Sequence, residues 1–285
     1  MVRQATRSGP TLPLDLPVAE PDADKVQALH DCIDNLGPVA VAFSGGVDSA
    51  LALKVCRDRL GSDAHAVIGV SASLAAAEHI NARRLAARLD VDLIELNTDE
   101  LENAAYRKNP ANRCYFCKQE LFRHVLPLAS KHGWTVVDGL NHDDLRDIRP
   151  GRLATDEAGV RHPLCEAGLT KPEVRGLARR LGLSVWNKPA LACLSSRIPT
   201  GLPIDAELLT RVDQAEAMVK QAGFPSCRVR VHGTLARIEV PAEHIADLER
   251  RCPSLIPALQ AIGFRQVEID PRGYRMGSVS HSSGR

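Results

Sequence analysis

Three cysteines and one glycine-containing turn carry the chemistry this chain can offer. Cys114 and Cys117 form a Cys-x-x-Cys pair within Asn112-Arg113-Cys114-Tyr115-Phe116-Cys117-Lys118. That spacing suits zinc, a redox pair or two iron–sulfur ligands. No second Cys-x-x-Cys exists, so a closed structural zinc site lacks half its ligands, and His124 and His132 fit no standard finger spacing. Cys193 lies in Lys188-Pro189-Ala190-Leu191-Ala192-Cys193-Leu194-Ser195-Ser196-Arg197, among small residues, two hydroxyls and two cations. Lys188 and Arg197 would favour its thiolate; a loop cysteine packed as a small hydrophobe is the plainer alternative. The turn is Ser44-Gly45-Gly46-Val47-Asp48-Ser49. Gly45 and Gly46 let the backbone bend sharply and approach a ligand. Asp48 and Ser49 fall where a helix begins, so the turn presents backbone donors to an anion, most often phosphate. No lysine follows the glycines, which separates it from a Walker A loop. Its plain alternative is an ordinary strand–turn–helix corner.

These residues must be positioned by regular elements. Apolar runs at 39–43, 64–70, 91–96 and 134–138 read as strands, and 183–186 as a fifth. Helical patterns at 22–36, from Asp48 to near Gly61, at 75–89, 117–132 and 170–181 alternate with them, which means βαβ units and a parallel sheet. Thr170-Lys171-Pro172-Glu173 opens its helix with a hydroxyl cap, a proline and an acid three residues on. Ligands of such sheets sit beyond the carboxyl ends of the strands. Loops starting at Ser44, Ser71, Asn97, Gly139 and Asn187 should therefore share one rim. The segment 100–112 reads as polar surface, and 145–169 as a long irregular, functional loop.

Composition shifts near Pro199–Pro203. Beyond it the pattern is helix 205–222, strands 227–231 and 236–240, helix 244–262 and strand 265–269, an α+β unit with a hairpin. The expected organisation is a tail at 1–20, a large α/β domain at 21–200, a smaller α+β domain at 201–275 and a Gly/Ser-rich tail at 276–285. In the smaller unit Arg228 and Arg230 alternate onto one strand face. Guanidinium pairs suit a nucleotide phosphate. Glu216, Glu239 and Asp247 could take a divalent cation. An ordinary surface charge cluster is the alternative for all five.

The 285 residues are 44% hydrophobic and 25% charged, as in a globular protein with a substantial core. The net charge of +1 gives no overall basic field to attract nucleic acid or a membrane surface. No apolar stretch approaches the ~18 residues of a membrane-spanning helix, and the first 20 residues lack the apolar region of a secretion signal. A cytoplasmic chain is expected. Its cysteines then read as thiols or metal ligands rather than disulfides.

Ser44-Gly-Gly-Val-Asp-Ser49 resembles the pyrophosphate loop of the ATP-pyrophosphatases, which split ATP between its α- and β-phosphates. The series continues with Arg113-Cys-x-x-Cys117-Lys118, Asp138-Gly-x-Asn-x-Asp-Asp144 with Arg149-Pro-Gly151, and Lys188-Pro-x-x-Ala-Cys-Leu-Ser-Ser-Arg197. In this order the motifs resemble the LarE family of sulfur transferases, over roughly residues 20–275. The resemblance implies ATP and Mg²⁺ as cofactors and a pyridinium-3,5-biscarboxylic acid mononucleotide as substrate. One carboxylate is adenylated, pyrophosphate leaves, and sulfur displaces AMP. The product passes to a nickel-inserting protein, and the enzyme is a homo-oligomer. Ser44 to Ser49, Ser71, Arg113, Gly139 and Asn141 would meet ATP, with Asp48 near Mg²⁺–pyrophosphate. Ser195, Ser196, Arg228 and Arg230 would meet substrate and its phosphate, and Cys193 and Arg197 would be catalytic. Two sulfur sources occur in the family. Either the cysteine at 193 is consumed, or Cys114, Cys117 and Cys193 hold a [4Fe-4S] cluster that leaves one iron open. The three cysteines here favour the cluster. A tRNA thiolase, an amide-forming synthetase of the NAD or GMP type, and a nucleotide- or metal-binding module without turnover are the competing readings.

Overall fold

The computed structural model describes residues 16–145, 150–190 and 192–274. Most of the two expected tails, residues 1–15 and 275–285, together with Arg149 and Leu191 of the quoted motifs, lie outside the described residues. The chain runs α1 (Ala23–Asp34), β1 (Val39–Ala42), α2 (Val47–Leu60), β2 (Ala64–Val70), α3 (Ala76–Arg88), β3 (Leu93–Asn97), α4 (Ala104–Arg107), α5 (Arg113–His132) and β4 (Thr135–Val137). It continues with α6 (Pro150–Glu157), α7 (Pro163–Glu166), α8 (Lys171–Arg180), α9 (Ala206–Gln221), β5 (Arg228–His232), β6 (Leu235–Glu239), α10 (Ile245–Ala261) and β7 (Gln266–Ile269).

The first four strands form a parallel sheet in the order β3-β2-β1-β4. β1 is central, and Val39, Ala40 and Val41 are fully buried, as a strand covered on both faces demands. Helices α1, α2 and α8 pack one face through Leu29, Ile33, Leu51, Leu53, Val174 and Leu177. On the other face, Phe122, Val125 and Ala129 of α5 meet Ala40, Val67 and Val136. This is an α/β fold with helices on both sides of the sheet. Successive strands step one way from β1 to β2 and β3, and β4 returns on the other side of β1. A topological switch point therefore falls between β1 and β4, where a crevice opens for ligands.

The second sheet has the order β5-β6-β7, with an antiparallel hairpin turning at Gly233 and a parallel third strand reached through α10. Val229, Val231, Ala236 and Ile238 face a core shared with α9 and α10. Tyr106, Leu194 and Ile198 join the same core.

Four expectations need correction. Residues 183–186 are turn rather than strand: Trp186 N bonds Leu183 O, and Leu183 and Trp186 pack on the first core. The outer edge of β4 is met by a single parallel bridge from Val137 to Arg161. The segment 100–112 is surface only in part: Glu102, Arg107, Lys108 and Asn112 are exposed, but Glu100, Tyr106 and Asn109 are buried. The stretch 145–169 contains α6 and α7. Finally, α5 begins at Arg113 rather than 117, so both cysteines of the Cys-x-x-Cys pair ride on a helix. The capped helix at 170–181 has its capping box between Thr170 and Glu173.

Candidate active site

The phosphate-type loop sits at the switch point. Gly45 takes φ +70°, open to glycine without strain. Ser44 Oγ lies 3.0 Å from Ser49 Oγ, and Ser49 Oγ accepts the Ser44 amide at 3.1 Å, which closes the loop on itself. Gly46 caps α2, and the first intrahelical bond runs from Ala50 N to Gly46 O. The amides of Val47, Asp48 and Ser49 thus precede the helical ladder and give the positive end of a 14-residue helix. The Val47 side chain is core, so any ligand contact there is through its backbone.

The β4 loop packs directly on this helix end. A Cβ at Gly139 would stand 2.5 Å from Ser49 N and 2.6 Å from the Asp48 carbonyl carbon, so only glycine fits. Asn141 donates to Asp48 Oδ1 at 3.1 Å, and Lys171 at the start of α8 pairs with Asp48 Oδ2. Arg175, one turn further along α8, is buried, with Nε unpartnered among the described residues. Lys188, expected to favour the Cys193 thiolate, is engaged at the turn. Its Nζ donates to Gly45 O at 3.1 Å and to Glu78 at 2.7 Å, which adds a second lysine to the loop.

At the end of β4, buried Asp138 accepts from His162 Nδ1 at 2.7 Å and from Leu140 N at 3.0 Å. Lys118, next to Cys117, stands 4.0 Å from Asp138. Burial pulls the His162 imidazole down, but Asp138 and then Asp156 more than reverse this, leaving it above the ordinary histidine range. Burial works against the Asp138 carboxylate, yet His162 and Lys118 hold its pKa below the usual value.

The cysteines come from two distant segments. Cys114 and Cys193 are exposed, and Cys117 is half-buried. Burial raises the Cys117 thiol, and Glu100, Cys193 and Cys114 add to the effect against Lys118. Burial likewise raises the Tyr106 hydroxyl, reinforced by Cys193, Cys117 and Glu100. All three cysteines therefore share one electrostatic neighbourhood. Among the described residues no three His, Cys, Asp or Glu side chains are grouped to hold a metal ion.

The Cys193 loop is fixed from several directions. Leu194 N donates to Ser73 O at 2.9 Å, in the loop after β2. Ser195, expected to meet substrate, is fully buried and lies 2.7 Å from Tyr106 OH. Arg113 donates to Asn109, whose amide in turn donates to Ile198 O and Pro199 O. Ser71 is bonded to Glu100 at 2.6 Å.

Arg197 also differs from expectation. It is buried, pairs with Glu216 at 2.8 Å, and donates to Ala192 O and Cys193 O at 2.6 and 3.0 Å. Its guanidinium holds the loop by the carbonyls of Ala192 and Cys193. The expected cation site of Glu216, Glu239 and Asp247 is not assembled. Glu216 is taken by Arg197, Glu239 by Arg230 at 3.1 Å, and Asp247 by Arg250 and Arg251. Arg228 and Arg230 do share a strand face. Arg228 lies 5.1 Å from the Tyr274 ring, and Arg230 also donates to Ser196 O at 2.7 Å. Ser196 Oγ itself donates to Cys193 O at 2.7 Å.

A groove of about 600 Å³ lined by Arg57, His65, Arg83, Asp90 and Glu95 lies elsewhere, where β2 and β3 begin. Its charges are already paired, Arg57 with Asp90 and Arg83 with Glu95. No helix among the described residues is long and apolar enough to cross a membrane.

No family model matches the chain. An uncharacterised protein of Synechocystis is 42% identical over 259 residues, 90% of this chain and 97% of that protein. The pyridinium-3,5-bisthiocarboxylic acid mononucleotide synthase of Lactiplantibacillus plantarum is 36% identical over 260 residues, 90% of this chain and 94% of the synthase. The chain belongs to the LarE family. A Methanocaldococcus jannaschii protein, also uncharacterised, is 26% identical over 238 residues, 83% of this chain. As a LarE-family enzyme, the chain brings together residues that its motifs alone left apart. Lys171, Glu100, Tyr106, Asn109 and His162 were missed as site residues. Lys171 was visible only as part of a helix cap. The others sit in segments read as surface or loop, and only the tertiary fold buries them.

Proposed function

We propose that this LarE-family enzyme converts pyridinium-3,5-biscarboxylic acid mononucleotide to its thiocarboxylic and then bisthiocarboxylic acid. A substrate carboxylate oxygen attacks the α-phosphorus of ATP, and pyrophosphate leaves from the turn at the head of α2. The turn's amides, Lys171 and Lys188 offer positive charge to the departing group. Asp48 lies where Mg²⁺–pyrophosphate would be held. A sulfur nucleophile then attacks the acyl carbon, the C–O bond to the phosphate breaks, and AMP leaves carrying the carboxylate oxygen that attacked phosphorus. The observation that carries this reading is the double attachment of the Cys193 segment. Lys188 binds the phosphate-type loop and Leu194 binds the loop after β2, so the sulfur-bearing residue and the nucleotide site belong to one rim.

For the sulfur source, Cys114, Cys117 and Cys193 would hold a [4Fe-4S] cluster. When bound, it supplies an exchangeable sulfide at the iron without a protein ligand. The shared neighbourhood of the three thiols supports this set. The exposure of Cys193 favours a second source, Cys193 itself. Its sulfur would bond the acyl carbon as AMP leaves. Loss of the Cα proton and cleavage of Cβ–S would then release the thiocarboxylate and leave dehydroalanine.

Pyrophosphate release that requires both ATP and the mononucleotide tests the reaction; no release with both present overturns it. Iron and acid-labile sulfide after anaerobic reconstitution test the source. About four irons per chain in the wild type, lost in Cys114→Ala, support the cluster. Iron-free protein whose Cys193 loses the elements of H₂S after one round supports the second source. Cytoplasmic location, a homo-oligomer and a nickel-inserting recipient of the product are part of the same proposal. Size measurement in solution checks the oligomer.

A further inference from the structure

Glu100 is 2% exposed, and every partner the described residues give it is a hydroxyl. Its Oε1 accepts from Ser71 Oγ at 2.6 Å and Ser73 Oγ at 2.7 Å; its Oε2 accepts from Thr98 Oγ1 at 3.1 Å. Among the described residues no lysine or arginine is paired with it. Buried carboxylates are costly unless paired, and an apolar replacement of similar volume is often neutral or stabilising. A purely structural strut at this position would therefore be poorly chosen.

The position of Glu100 points to another use. Ser71 and Ser73 lie in the loop after β2, and Thr98 directly follows β3. Ser73 Oγ lies on Glu100, while the carbonyl of the same serine accepts the amide of Leu194, the residue after Cys193. One serine thus joins the carboxylate to the cysteine loop. Tyr106, close to Glu100 and Cys117, fixes the next residue, Ser195. The path from the Ser71–Ser73 hydroxyls to the Cys193 segment thus runs through a single residue, Ser73.

We propose that Glu100 is a positioning residue that couples nucleotide binding at the loop after β2 to the placement of Cys193. This rests on reading that loop as part of the ATP site. A nucleotide that engages Ser71 redistributes the hydroxyl bonds on Oε1, and Ser73 carries the change to the Leu194 amide. Glutamine at this position keeps the shape but removes the charge, so the two short charge-assisted bonds from Ser71 and Ser73 to Oε1 become ordinary neutral ones and Thr98 faces an amide donor in place of Oε2.

The test compares wild type and Glu100→Gln in three readouts. These are the rate of Cys193 alkylation by iodoacetamide, followed peptide by peptide, with and without α,β-methylene-ATP; the affinity for that analogue; and the melting temperature. In the wild type the analogue is expected to change the Cys193 rate about tenfold, a normal size for coupling between sites. In Glu100→Gln the response falls below about twofold, with analogue affinity within about threefold and melting temperature unchanged or higher. A merely structural role predicts the opposite pattern, with melting temperature and affinity falling together, and that result overturns the proposal. So does a variant that keeps the wild-type response, or a wild type whose Cys193 ignores the bound analogue. If Glu100→Gln does not fold, Ser73→Ala serves instead, since it removes the hydroxyl and keeps the carbonyl. An undiminished response in Ser73→Ala then overturns the coupling. Failure of the proposed function reads differently: the analogue binds and shifts Cys193, yet ATP and the mononucleotide give no pyrophosphate.

Discussion

The phosphate-type loop and the cysteine neighbourhood lie on the same rim but are built in opposite ways. The loop is made by six consecutive residues whose serines bond each other, and its neighbours only complete it. The cysteine neighbourhood is assembled from two segments far apart in the chain, the start of α5 and the short turn that Cys193 opens. Cys193 stands where it does because Ser73, Tyr106, Asn109 and Arg197 hold the residues around it. Cys114 and Cys117 stand where they do because α5 starts at Arg113. An anion site can be a property of a short backbone. A site for sulfur drawn from two segments is a property of the fold, and it can be tuned or lost by changes far along the chain.

The sharpest test of this separation is Cys193→Ala. It should abolish sulfur transfer while pyrophosphate release stays measurable; equal loss of both would mean the two regions act as one. Asp48→Ala should lower AMP formation by about a hundredfold, the scale of removing one charge-organising group from an active site. Unchanged AMP formation would place the reaction away from this loop. Arg197→Met should cost about 3 kcal/mol in urea unfolding, because it takes the buried guanidinium from Glu216 and leaves it only Lys220 at 3.6 Å and the Val229 amide. A loss below 1 kcal/mol would show that the cysteine loop does not depend on that pair. Gly139→Ala should cost about 1–3 kcal/mol, since its methyl group would meet the α2 backbone. It should weaken ATP binding more than it slows Cys193 alkylation.

The smallest effect is expected from His162→Asn. The folded pKa of His162 is raised, so its stabilising contribution is complete below the unfolded value of ~6.5 and is lost as pH rises through the folded value. Asp138 has a lowered pKa, so its contribution is present above the unfolded carboxylate value and is lost only as pH falls through the folded one. Melting temperature measured from pH 6 to 8 should therefore decline in the wild type and flatten in His162→Asn. Equal slopes would remove His162 from the account.

This contrast also explains what could be read in advance. The strands 39–43 and 64–70 were legible because buried parallel strands are continuous apolar runs, and Thr170–Glu173 because capping is local chemistry. The Ser44–Ser49 turn was legible for the same reason. Leu183–Trp186 has strand composition, yet it turns on itself and packs against the first core without pairing. Tyr106 and Asn109 lie in a polar segment whose burial depends on α9 and the second sheet, which no local pattern reports. Arg197, Glu216, Arg230 and Glu239 were legible as charges. That Arg197 pairs with Glu216 and Arg230 with Glu239 follows from a register pairing β5 with β6 and from the approach of α9.

The contact behind Gly45 has one more consequence. A Cβ built on that glycine would stand 3.2 Å from Cβ of Ala82 on α3. The inner wall of the turn is therefore moulded by a methyl group that touches no ligand. Side-chain volume at position 82 sets a steric gauge on the curvature of the turn: an added methylene there presses on the phosphate cradle from behind. On the proposed reading of the turn, nucleotide affinity would respond to a residue that looks, from its own helix, like simple filling.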